Sequence, residues 1–285
     1  GCADSALPAA GADLSAAFGS APLGFDDTFS SFAASDSPGG GFRPERGRGG
    51  RRGGHRGGHG HGGPGGGFMG GFHHDFLGGP GGGGRPFDFR LGDGCSFAAG
   101  TGLVTCASTR HGLDVLRTFR FETAAGAVQP APDSTTDKVT LHASVSGSTT
   151  RRDGVAAVVN HTSDRVVTGL AKGSTQRTVN GTSSGTETLT GTNAGGAFTA
   201  TREVGDATVG LVVPVQSGRP SYPTAGTVTR TMRASLTQGG ATTTRSRQEV
   251  ITFDGSATAS LVITQDGVTR TCTVPLPHGR PTCSS

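Results

Sequence analysis

The side chains best suited to chemistry in this sequence are histidines, and they are concentrated. His55, His59, His61, His73 and His74 fall in one glycine-rich stretch, with Asp75 directly after the last of them. Imidazole and carboxylate donors suit Zn, Cu or Ni, so metal binding by this tract is one functional reading. A second pattern, Gly181-Thr182-Ser183-Ser184-Gly185, matches the G-x-S-x-G nucleophile motif. That motif works when a strand-to-helix turn exposes the serine. Here the next residues, Thr186-Glu187-Thr188-Leu189-Thr190, read as more strand. No acid, base and nucleophile stand together at a workable spacing. The expectation is a chain that is not an enzyme and carries no cofactor. His111, His142, His161 and His278 are scattered and read as ordinary surface groups.

Five cysteines are present. Cys95 and Cys106 have ten residues between them, and so do Cys272 and Cys283. Zinc favours closely spaced pairs such as Cys-x-x-Cys. Each pair instead brackets turn-formers, Gly100-Thr101-Gly102 in one case and Pro275 to Pro281 in the other. A hairpin would bring each pair together. Four cysteines allow three connectivities; the two local bonds are favoured, and they imply an oxidising compartment.

The chain opens Gly1-Cys2 without Met, followed by the small, acidic stretch Ala3-Asp4-Ser5-Ala6. This opening resembles the processing junction of a bacterial lipoprotein. The resemblance covers only these few residues. It implies lipidation at Cys2 and an outer-surface location. The alternative is an ordinary secreted chain in which Cys2 is a free or cross-linking thiol.

The elements that would position these groups divide the chain in three. Residues 1–38 hold five Asp and no Lys or Arg, with apolar residues at Phe18, Leu23, Phe25, Phe29 and Phe32. This acidic, Phe-bearing arm reads as a segment that docks on something. Residues 39–94 are about half glycine, first basic (Arg43, Arg46, Arg48, Arg51, Arg52, Arg56) and then His-rich. Such a tract has too little apolar surface to fold alone and reads as an extended low-complexity linker. The arm to residue 41 carries a net −5 and residues 42–61 a net +5, so opposite blocks could pair between copies. The arginines resemble an RGG-type nucleic-acid segment. A secreted chain meets little RNA, so acidic polysaccharide or anionic lipid headgroups are the expected partners rather than a specific nucleic acid.

Residues 95–285 are rich in Thr, Val, Ser and Ala, with turn signals at Asp153-Gly154, Asp254-Gly255 and Asp266-Gly267 and weaker ones at Gly195-Gly196 and Gly239-Gly240. Asp-Gly is a favoured two-residue hairpin loop. The runs between read as strands: 113–123, 138–152, 155–169, 175–182, 186–192, 197–204, 208–215, 226–237, 242–253, 257–265 and 268–274. Folding across Asp266-Gly267 puts Gln265, Ile263 and Leu261 opposite Val268, Arg270 and Cys272, one face mixed apolar and the other mostly Thr. The fold expected is all-β, an antiparallel meander of long strands forming a curved sheet, barrel or sandwich, with a thin core.

Composition supports this division. Only 32% of residues are apolar, Trp is absent, and glycine fills 52 of 285 positions. No run of about 18 apolar residues offers a membrane helix, and the C-terminal part lacks the aromatic girdles of an outer-membrane barrel. The leading functional reading is a non-enzymatic extracellular structural or interaction protein of a bacterium, at the surface or in the periplasm. It would self-associate, or bind another surface component, through its arm and its sheet edges. The alternatives are a surface lipoprotein that holds an apolar ligand or lipid in a curved sheet, and the metal-binding His tract.

Overall fold

The computed structural model describes residues 94–110, 112–150, 154–215, 222–276 and 281–284. Cys2, the arm residues Phe18, Leu23, Phe25, Phe29 and Phe32, and the candidate metal ligands His55, His59, His61, His73, His74 and Asp75 lie outside the described residues, as do His111 and His278.

Thirteen strands form one sheet: β1 (Cys95–Ala98), β2 (Leu103–Arg110), β3 (Leu113–Thr123), β4 (Val128–Gln129), β5 (Thr136–Thr150), β6 (Ala156–Thr168), β7 (Gln176–Asn193), β8 (Gly196–Pro214), β9 (Ala225–Gln238), β10 (Ala241–Thr252), β11 (Thr258–Gln265), β12 (Val268–Pro275) and β13 (Thr282–Cys283). All pair antiparallel in chain order, except that β4 is a short spur on β3, so that β3 passes directly to β5. The sheet is open and curved, with β1 and β13 at its ends.

Alternation of side chains sorts the sequence onto two faces. The outer face is built from rows of Thr and Ser, for example Thr182, Ser184, Thr186, Thr188 and Thr190 on β7. The inner face carries the apolar residues. Phe121, Leu189, Leu236 and Leu261 on it are almost wholly out of solvent. No helix among the described residues covers this face. The sheet therefore curls far enough for its own inner side chains to cover one another, which is what a long twisted sheet does when left unpartnered. Leu170, just after β6, packs against two groups at once, one reaching from Val167 to Val274 and the other joining Val104, Phe119, Phe121 and Val139. The rings of Phe119 and Phe121 stack at 5.8 Å.

The expected pairing across Asp266-Gly267 is the one observed, with Gln265, Ile263 and Leu261 opposite Val268, Arg270 and Cys272. Asp266 (φ 48°) and Gly267 (φ 85°) both take the left-handed conformation that this tight loop requires. Gly239-Gly240 forms a second such loop, between Gln238 and Ala241.

Three expectations need correction. The runs read as 175–182 and 186–192 belong, apart from residue 175, to one strand, β7, and those read as 197–204 and 208–215 belong, apart from residue 215, to one strand, β8. The break read at 205–207 is regular pairing on both sides, and the irregularity in β8 is a bulge that follows it. On the β7 side Val209 and Gly210 together lie opposite Asn180, whose side chain accepts a 2.7 Å hydrogen bond from the Gly210 amide; on the β9 side Val209 pairs with Thr227, and Gly210 and Leu211 together lie opposite Gly226. Inward residues are even-numbered before the bulge (Ala200, Arg202, Thr208) and odd-numbered after it (Leu211, Val213), so the alternation changes phase within one strand. Second, Asp254-Gly255 is not a two-residue loop. Residues 253–257 link β10 to β11, and the amides of Phe253 and Gly255 bond to the oxygens of Gly226 and Pro223 rather than across the hairpin. Third, the loop between β7 and β8 is Ala194-Gly195, with Asn193 opposite Gly196.

Candidate functional site

The charged residues that the alternation places on the inner face form the most distinctive constellation in the sheet. Three rows cross the middle strands perpendicular to the chain. One runs Val159, Glu187, Arg202, Ala234; the next runs His161, Gly185, Val204, Met232, Arg247; the third runs Ser163, Ser183, Asp206, Arg230, Glu249, Ile263. Apolar groups flank this belt on both sides. Leu189, Phe198, Ala200 and Leu236 lie on one side, and Val179, Leu211, Val228 and Ile251 on the other.

Burial of these groups is deep. Glu187 and Glu249 are each 1% exposed, Arg230 5% and Arg202 6%. Charges at this depth are costly unless paired and hydrogen-bonded. The Arg202 guanidinium donates to Glu187 Oε2 at 2.8 Å across the β7–β8 pair. Arg247 holds Glu249 Oε1 from Nε at 2.7 Å and from Nη2 at 2.6 Å. Arg230 sits directly between Asp206 and Glu249 in register, so the charges alternate in sign from β8 to β10. Beyond the apolar flank, at the start of β7 opposite Val213, burial pushes the Arg177 guanidinium below its ordinary range.

His161 is the clearest departure from the sequence reading. It was expected at the surface and is 3% exposed, because it occupies the inward phase of β6 between Val159 and Ser163. His142, by contrast, is on the outer face of β5, 2.8 Å from Asp164. The G-x-S-x-G stretch lies inside β7 with pairing on both sides, so no nucleophile turn exists there. No signal of amino-acid type marked the belt. Its phase could have: Glu187 lies two residues before Leu189, and Arg202 lies two residues after Ala200.

The belt specifies register. Odd-numbered slips between strands would turn the apolar set to solvent and are excluded by patterning. Slips of two residues keep every side chain on its face, and among Thr and Val repeats they change little. With Glu187 opposite Arg202, and Arg230 between Asp206 and Glu249, such a slip would bury charges without partners.

The outer face carries a different chemistry. Glu122 accepts from Arg120 Nε at 3.1 Å and lies 2.9 Å from Lys138 Nζ. The hydrogen bond from Lys138 is the largest cause holding its carboxyl below the ordinary range; burial opposes it, and the Arg120 hydrogen bond and the two positive charges add to the lowering. A shallow depression of about 360 Å³ is lined by Glu203, Thr231, Arg233, Ser246, Gln248 and Thr264 among others. No group of three or more metal-ligating side chains comes together among the described residues.

The two local disulfides are present, Cys95–Cys106 and Cys272–Cys283. Each joins an end strand of the sheet to its neighbour, β1 to β2 and β12 to β13, at directly opposed positions. They point to a compartment outside the cytosol. No protein-family model matches this chain, and comparison with curated proteins and with solved structures finds no match.

Proposed function

We propose that the chain is a non-enzymatic extracellular structural or interaction protein of a bacterial surface: a stiff, oxidised sheet that is held to other copies or to a surface component by its N-terminal region. The observation that carries this reading is that the inner face is occupied by its own side chains. Apolar clusters and buried ion pairs fill it, and Glu187 and Glu249 there would have to be desolvated against any apolar ligand. This disfavours the lipid-holding alternative. What remains for contact is the hydroxyl-rich outer face and the N-terminal third, whose acidic and basic blocks are complementary in charge. Lipidation at Cys2 would tether the whole to a membrane, and acidic polysaccharide or anionic headgroups would meet the arginines.

The test is negative-stain microscopy of the full oxidised chain beside a chain lacking residues 1–38. Regular assemblies of the full chain that disappear on deletion support the reading. Single particles in both preparations, with no retention on anionic polysaccharide or vesicles, contradict it.

A further inference from the structure

Both ends of the sheet are closed by the same device. At one end β1, four residues long, covers Leu103–Cys106 of β2, and its bond to β2 is the disulfide at Cys95 and Cys106. At the other end β13 is two residues long and covers Cys272 and Thr273 of β12, fixed by the disulfide at Cys272 and Cys283. Ser284 adds a 3.0 Å amide hydrogen bond to the Thr271 oxygen. A two-residue strand has little hold of its own. Beneath these caps lie two eight-residue strands with ladder groups to offer. Exposed edges of that length are templates for pairing with another chain, and short end strands are a usual way to blunt them.

We propose that the two disulfides are clips over a pair of complementary self-association edges, and that opening both lets β12 of one copy pair with β2 of the next. The occupant is a second copy for geometric reasons. Ten strands lie on the path from β2 to β12, all antiparallel to their neighbours. An even number makes the first and last run in opposite directions. A copy laid beside another without turning over therefore continues the antiparallel alternation. The faces match as well: Val104 on β2 and Cys272 and Val274 on β12 are buried inner residues, so the inner face runs on across the junction. The contact is head-to-tail, which extends into an open chain unless its rotation closes a ring. Opening requires a dithiol. Its thiolate attacks one cysteine sulfur, and the other leaves as a thiolate and takes up a proton. The second thiol then displaces the mixed disulfide, leaving two protein thiols and an oxidised reductant.

This inference rests on the reading of the chain as an assembling scaffold, but its test is separate from the arm deletion. Full-length chains are made in a Cys2→Ser background, one with Cys95→Ser and Cys106→Ser, one with Cys272→Ser and Cys283→Ser, and one with all four. Measured against the parent chain by sedimentation, at a dilution and ionic strength at which the parent is a single particle, each pair variant alone has one free edge and keeps the parent's mass. The two mixed in equal amounts give a species of twice that mass, and the fourfold variant gives a ladder of larger ones. Hydrogen exchange speeds up at 103–106 or 271–273 in the single-pair variants and slows again in the mixture. An equimolar mixture with no heavier species, or unchanged protection of those amides, overturns the proposal. Dimerisation of one pair variant by itself overturns the head-to-tail pairing. If the fourfold variant loses its strand-dominated circular dichroism, the pair variants, each retaining one clip, decide the question.

Discussion

Arg202 and Glu187 show what one ion pair does inside a thin sheet. Removing one partner of a buried pair leaves the other desolvated, at a cost of about 3–5 kcal/mol, whereas replacing both by apolar groups is often neutral or stabilising. Arg202→Met should therefore lower the free energy of unfolding by about that much, and Glu187→Leu with Arg202→Met should recover most of it, as read from urea titrations. Equal loss in the single and double variants would mean that the side chains matter only as filling. Glu122 makes a prediction about pH. Its carboxyl is held low in the folded chain by Lys138 and Arg120, so the unfolded chain takes up the proton more readily. The stabilisation is then complete above the ordinary carboxylate range and is lost as pH falls through the lower folded value. Glu122→Gln should flatten the acid side of the stability profile, lowering the melting temperature above the carboxylate range and converging with the parent chain at the acid extreme, in thermal melts. An unaltered acid limb would show that the trio does not persist in solution.

At the scale of elements, the bulge in β8 and the glycine opposite it form one device. Gly226 has φ 110°, and a Cβ there would lie 2.5 Å from the Leu211 Cα. Both the conformation and the space exclude a side chain. Gly226→Ala should cost about 1–3 kcal/mol, measured by denaturant unfolding, while Gly196→Ala, with positive φ but open space, should cost less. Much of the meander was legible in the sequence. The tight loops at Asp266-Gly267 and Gly239-Gly240, the face assignment across the first of them and the two local disulfides follow from turn chemistry and period-two patterning. The continuity of β7 and β8 was not legible, because Ser183-Ser184-Gly185 and Gly205-Asp206 look like punctuation, and the bulge at 209–211, which reverses the phase of β8, left no mark in the pattern. The charged belt was hidden for a different reason. Arg, Glu and His are taken as outward by type, and only cross-strand register, which involves residues 15 or more apart such as Glu187 and Arg202, reveals a partner.

For the whole molecule, the features fit one design. A single sheet with small inner residues cannot gain stability from a second layer, so it curls over its own core, fixes register with buried charges and closes each end with a disulfide. Under the proposed function, the outer hydroxyl face and the N-terminal third make the contacts. The clips tie this arrangement to an oxidising environment, and they are its most accessible signature. Peptide mapping of protein taken from its natural source, alkylated before digestion without reduction, tests this most directly. The account predicts one linked peptide joining Cys95 to Cys106 and one joining Cys272 to Cys283. Four alkylated thiols at those positions, or bonds that cross between the pairs, would contradict it.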